Sequence, residues 1–277
     1  MSLVRCWRRP SAARLVLIGA VVAGLLGGCT LPLPPPVPGE APRDRVTASD
    51  ETNVGKRARV RMELATAYFS RNQLTTALDE VKLALLADPN MGEAYNLRGL
   101  IYGALGDDAF AEESFRRALQ INARDADTLH NLGWFLCQQK RFPEATELFN
   151  RALAVPTYPG ASRTLLASGV CETRAGRWAE AEATLKRAYE LDPSNPATAY
   201  NLSDVLMRRG EFDRARFYIR RVNSSPDQSN AQTLWLAARI EKKLGNDQGA
   251  NEFGLQLRNR FPQSRESVAF DRGQFNE

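Results

Sequence analysis

Histidine is nearly missing from this chain: His130 is the single residue of its type among 277. Cysteine is sparse as well, at Cys6, Cys29, Cys137 and Cys171. One imidazole and so few thiols do not make an ordinary closed metal site without carboxylate help, so no metal or cofactor is expected. There is no glycine-rich phosphate loop and no Gly-x-Ser-x-Gly elbow to assemble a nucleophile, base and orienting group. The sequence does not read as an enzyme, and no small-molecule substrate is expected. An excess of one charge sign is missing too. The formal net charge is +5, but Arg5, Arg8, Arg9 and Arg14 all fall in the first 28 residues, where there is no acid. The remainder is near neutral, without the clustered surplus of a nucleic-acid binder. Finally, no apolar run is long enough to span a bilayer with ease; the longest, 15–26, falls short of the roughly 20 residues a spanning helix takes.

Those arginines followed by that run form a secretion signal over 1–28. It ends in Leu26-Gly27-Gly28-Cys29, which resembles the lipobox of bacterial lipoproteins and implies cleavage before Cys29 and lipidation of its thiol. Two or three acyl chains, each methylene contributing about 0.8 kcal/mol on burial, hold a protein stably on a membrane. Thr30 stands where an Asp would favour retention at the inner membrane, so the resemblance implies the periplasmic face of the outer membrane. Export sets Cys137 and Cys171 in an oxidising compartment. Residues 29–55 are a linker, Pro-rich over 31–42. Such a stretch makes neither helix nor central strand and reaches roughly 3.1 Å per residue when extended.

From about residue 56 the chain repeats itself. A small residue, suited to the crossing of two helices, recurs at Ala65, Gly99, Gly133, Gly169, Ser203 and Ala238, at spacings of 34 to 36 residues. An alanine follows at Ala77, Ala111, Ala145, Ala181, Ala215 and Ala250. Four residues later comes a large apolar one, Val81, Phe115, Phe149, Leu185 or Ile219, except that the sixth repeat has Gly254. Turns fall on Asn72, Gly106, Lys140, Gly176, Gly210 and Gly245, and the extra residues of the longest spacing fall in the Pro- and Gly-containing segment 155–160. This is the tetratricopeptide pattern. The predicted fold is all-α, a right-handed superhelical solenoid of about six helix-turn-helix repeats over 56–264 (about 58–91, 92–125, 126–159, 162–195, 196–229 and 231–264). A polar tail, 265–277, serves as a terminal cap.

The first helix of each repeat lines the concave side, chiefly at repeat positions 2, 5, 9 and 12. Met62, Phe69, Leu100 and Trp134 then form an apolar strip beside Asn96 and His130, suited to an amphipathic helix or an extended peptide. The competing reading is plain packing between neighbouring helices. Cys137 and Cys171 sit on adjacent first helices, where either a disulfide or two buried thiols fits the pattern.

Three segments go beyond generic repeats: His130-Asn131-Leu132-Gly133-Trp134-Phe135-Leu136-Cys137, the pair Tyr158-Pro159, and Gly254-Leu255-Gln256-Leu257-Arg258. With the lipobox and tether they make the whole chain resemble the PilF/PilW family of type IV pilus biogenesis and stability lipoproteins. That resemblance implies a pilotin, an outer-membrane lipoprotein that brings secretin subunits to the outer membrane and supports their assembly into a ring. It supplies no catalytic residue, and Cys29 alone carries over with a defined chemical role. The alternative from the generic features is a lipoprotein scaffold for peptidoglycan synthesis or outer-membrane assembly.

Overall fold

A short turn that forces the backbone to reverse recurs through the chain. Asn72 and Lys140 adopt φ of 58° and 62°, and Gly106, Gly176, Gly210 and Gly245 adopt φ between 73° and 85°. These are the six turn positions expected from the sequence. Left-handed backbone ends one helix within a residue or two and lets the next run back against it. The computed structural model describes residues 53–276. The signal 1–28, the lipidation residue Cys29 and nearly all of the linker lie outside the described residues.

Within them the chain is helical throughout, with no strand. Six helix pairs follow one another: α1 (Asn53–Ser70) with α2 (Leu74–Ala87), α3 (Gly92–Leu105) with α4 (Asp108–Ile121), and α5 (Ala126–Gln138) with α6 (Phe142–Leu153). Then come α7 (Ala161–Arg174) with α8 (Trp178–Leu191), α9 (Pro196–Arg208) with α10 (Phe212–Asn223), and α11 (Ala231–Lys243) with α12 (Asp247–Arg260). A short α13 (Arg265–Asp271) closes the array. Helix α1 begins inside the stretch 29–55 assigned to the linker, because Ala58 is already needed in the core.

Each pair is held by close approach at the crossing. A Cβ on Gly99 would stand 2.7 Å from the Phe115 ring, and one on Gly169 would stand 2.5 Å from Leu185. A side chain there would wedge the two helices apart. Where the crossing residue is Ser203, its hydroxyl donates to the carbonyl oxygen of Ala215 (2.9 Å), so a buried polar group finds a partner. Phe115, Phe149, Leu185 and Ile219 are fully buried. Each element contacts chiefly its chain neighbours, as in a solenoid, where no repeat buries its apolar face alone.

The C-terminus departs from the expected polar tail. Residues 265–271 are helix α13, capped by Ser264, whose hydroxyl accepts from the backbone N–H of Ser267. Phe270 reaches back and lies only 8% exposed. A Cβ on Gly254 would stand 1.9 Å from the Phe270 ring. This explains the one large-residue position that breaks the repeat rule: the space filled elsewhere by Phe or Leu from the same pair is taken by Phe270. Trp235 and Phe275 complete this cap, their ring centroids 5.2 Å apart.

Candidate functional site: the concave face around Trp134

Helix α5 carries the sequence block that stood out. Its N-cap Asp125 accepts from the N–H of Asp127 and from the hydroxyl of Thr128 (2.5 Å), which starts the helix at a defined residue. From that start, His130 and Trp134 stand one turn apart on one face. His130 is buried at 8% exposure, its Nδ1 sharing a 2.9 Å hydrogen bond with the Thr164 hydroxyl of α7. Burial pushes its pKa down to about 4; the Arg163 guanidinium pushes the same way, and Asp127 partly opposes them. It is therefore a neutral imidazole joining two repeats.

Trp134 is half-buried and divides two hollows. On one side it faces Leu100, Gly103, Asn131 and Phe135 around a space of about 240 Å³. On the other it joins His130, Leu166, Ala167 and Val170 around about 270 Å³, with Arg163 and Asn201 at the edge. Arg174 from α7 lies over the indole, its guanidinium carbon 4.9 Å from the ring centroid. Asn96, named as a groove residue, accepts a hydrogen bond from Asn131 Nδ2 (3.1 Å). Leu100, His130 and Trp134 are thus brought together and Asn96 joins them through Asn131, while Met62 and Phe69 pack against the core of the first two repeats. The residues not read from the sequence, Arg163, Leu166 and Val170, occupy columns 2, 5 and 9 of repeat four; continuing the same reading by one repeat finds them. No periodicity points to Arg174 over Trp134.

Two links fix this face. Cys137 and Cys171 form a disulfide between α5 and α7, with Cα atoms 5.8 Å apart. The loop 155–160 brings Tyr158 back so that its hydroxyl donates to Asp127 (3.2 Å), to which Arg163 also donates (2.6 Å). The extra residues of that loop let it reach from α6 across to the start of α5. Among the described residues no group of three or more His, Cys, Asp or Glu could hold a metal ion, and no helix is long and apolar enough to cross a membrane. The surface offers apolar hollows with amides and guanidinium groups at their rims, which suits binding a polypeptide.

Family models described as tetratricopeptide repeat match residues 90–157, 124–194 and 172–240, and the chain is a member of that class of protein-interaction solenoids. The type IV pilus assembly protein PilF of Pseudomonas aeruginosa is 28% identical over 209 residues, covering 76% of this chain and 82% of that protein. The crystal structure of PilW, a widely conserved type IV pilus biogenesis factor, superposes with a TM-score of 0.72 at 34% identity, over 79% of this chain and 99% of that one. The Pseudomonas aeruginosa PilF structure superposes with a TM-score of 0.70 at 26% identity, covering 80% and 100%. The chain belongs to the PilF/PilW family of tetratricopeptide-repeat proteins of type IV pilus biogenesis.

Proposed function

We propose that this protein is a pilotin: a lipoprotein of the outer membrane that binds secretin subunits of the type IV pilus and promotes their assembly into a ring. The observation that carries this reading is the family membership joined to a preformed, apolar concave face at Trp134. Acyl chains on Cys29 supply the membrane address, the Pro-rich linker supplies reach, and the groove captures a secretin segment. Affinity need only be modest, because confinement to a membrane and several copies around a ring raise the effective concentration of each contact.

The test is to delete the gene and blot outer-membrane fractions for the heat-resistant secretin multimer, complementing with wild type and with Cys29→Ala. Loss of the multimer, restored only by the wild-type form, is the expected result. An unchanged multimer overturns the pilotin role and favours a scaffold for other envelope complexes.

A further inference from the structure

The concave side of the later repeats holds more positive charge than its own acids neutralise. Arg163 is engaged by Asp127 (2.6 Å), Arg208 by Asp204 (2.8 Å) and Lys242 by Asp247 (2.6 Å). Arg174 and Arg239 are left with no carboxylate in ion-pair reach among the described residues. Arg174 is spread over the Trp134 ring. Arg239 is half-buried on α11, and among the described residues its side chain donates from Nε to the carbonyl oxygen of Phe275 at 3.4 Å, with no hydrogen bond from its terminal nitrogens. Burial lowers its pKa, with nearby Asp204 opposing and Arg208 reinforcing that shift. A partly desolvated guanidinium with no carboxylate in direct contact gains from an incoming anion.

These two cations belong to the same face as the apolar hollow. Leu100, Trp134, Val170, Asp204 and Arg239 each follow the helix-crossing residue of their repeat, so they form one column across α3, α5, α7, α9 and α11. The column is apolar in repeats two to four and becomes charged in repeats five and six. Between the two zones stands Asn201, whose side-chain amide donates to the carbonyl of Ala197 (2.8 Å) and whose oxygen accepts no hydrogen bond among the described residues. A peptide backbone N–H supplies the matching donor.

We propose that the concave face of repeats three to six holds an extended partner segment in which a large apolar side chain is followed by acidic ones. The apolar side chain fills the hollow of Trp134, Leu166 and Val170, and the carboxylates meet Arg174 and Arg239. Packed helices lie roughly 10 Å apart, so α7 to α11 is on the order of 20 Å, which an extended strand rising about 3.3 Å per residue covers in about six residues. This inference deepens the reading of the groove as the partner site and rests on it.

The experiment uses the full-length chain in detergent and fluorescein-labelled 12-residue peptides tiled across the secretin and the other envelope-exposed pilus proteins. Each peptide has a copy in which Asp and Glu are replaced by Lys. The expected result is binding by a peptide with an apolar residue ahead of its acids, and at least tenfold weaker binding by its Lys copy. Arg239→Glu loses the acidic peptide by a similar factor and gains the Lys copy, while its circular dichroism spectrum remains that of the folded helical array. Acidic peptides and Lys copies that bind alike, or Arg174→Glu and Arg239→Glu variants that bind as wild type, overturn the proposal. If no peptide binds although gene deletion abolishes the secretin multimer, the acidic-segment proposal falls and the pilotin reading stands. If deletion leaves the multimer intact while charge-dependent peptide binding persists, the pilotin reading falls and this one stands.

Discussion

The guanidinium carbon of Arg174 of α7 lies over the ring of Trp134 of α5, 4.9 Å from its centroid, and the two helices are covalently joined by the neighbouring Cys137–Cys171 bond. The indole therefore has one side on the core and one under a cation, and it forms a wall of both hollows. Buried aromatic anchors carry a large share of binding energy at such surfaces, with losses of 2 kcal/mol or more on truncation. Trp134→Asp is expected to reduce the secretin multimer on blots by about tenfold or more while the circular dichroism spectrum stays helical. A normal multimer in cells carrying this variant would move the binding surface away from the groove.

The disulfide closes a loop with a sequence separation of 34 residues. A loop of that size is worth about 4 kcal/mol in lost chain entropy of the unfolded state. Cys137→Ser with Cys171→Ser is expected to lower stability by a comparable amount in urea unfolding, and reductant is expected to shift the wild type but not the double variant. If the two proteins unfold at the same urea concentration without reductant, the bond contributes nothing.

Gly254 and Phe270 exclude each other's growth, since a Cβ on Gly254 would stand 1.9 Å from the Phe270 ring. Gly254→Ala is expected to cost about 1–3 kcal/mol by overpacking, and Phe270→Ala to cost about 3–5 kcal/mol by leaving a cavity. The double variant is expected to be more stable than the sum of the two costs implies, because the second change removes the clash made by the first. Additive costs in a double-mutant cycle would show that α13 does not seat against that glycine.

His130 gives the fold a pH dependence of calculable sign. Its folded pKa, about 4 against an ordinary 6.5, means that the unfolded chain binds the extra proton between those values. The stability tied to neutral His130 is full above about pH 6.5 and is lost as the pH falls towards 4, amounting to about 3 kcal/mol over that span. The measurement is the unfolding free energy of wild type and His130→Gln from pH 7.5 to 4.5. The difference between them should change over that window. A constant difference would mean that the imidazole protonates as freely in the folded protein as in the unfolded one.

The repeat architecture was legible in the linear order because it rests on local rules. Small residues at Gly99 and Gly133 permit close helix crossing, large ones at Phe115 and Phe149 fill the gap, and positive-φ turns at Gly106 and Lys140 reverse the chain. Each of these acts within one repeat or its neighbour, so period and composition are enough to place them. Groove residues were legible only in part. Leu100 and His130 each share a hollow with Trp134, whereas Met62 and Phe69, partly buried against the core of the first two repeats, line neither hollow.

What tertiary structure alone decided are the relationships that cross repeats without a period. Arg174 meets Trp134 because α5 and α7 lie side by side, and long flexible side chains find partners that spacing does not encode. Residues 265–271 form a helix because a solenoid end exposes apolar surface that must be covered. Phe270 and Phe275 supply that cover from a stretch whose average composition is polar, and the odd glycine at 254 has its reason only when Phe270 is in place.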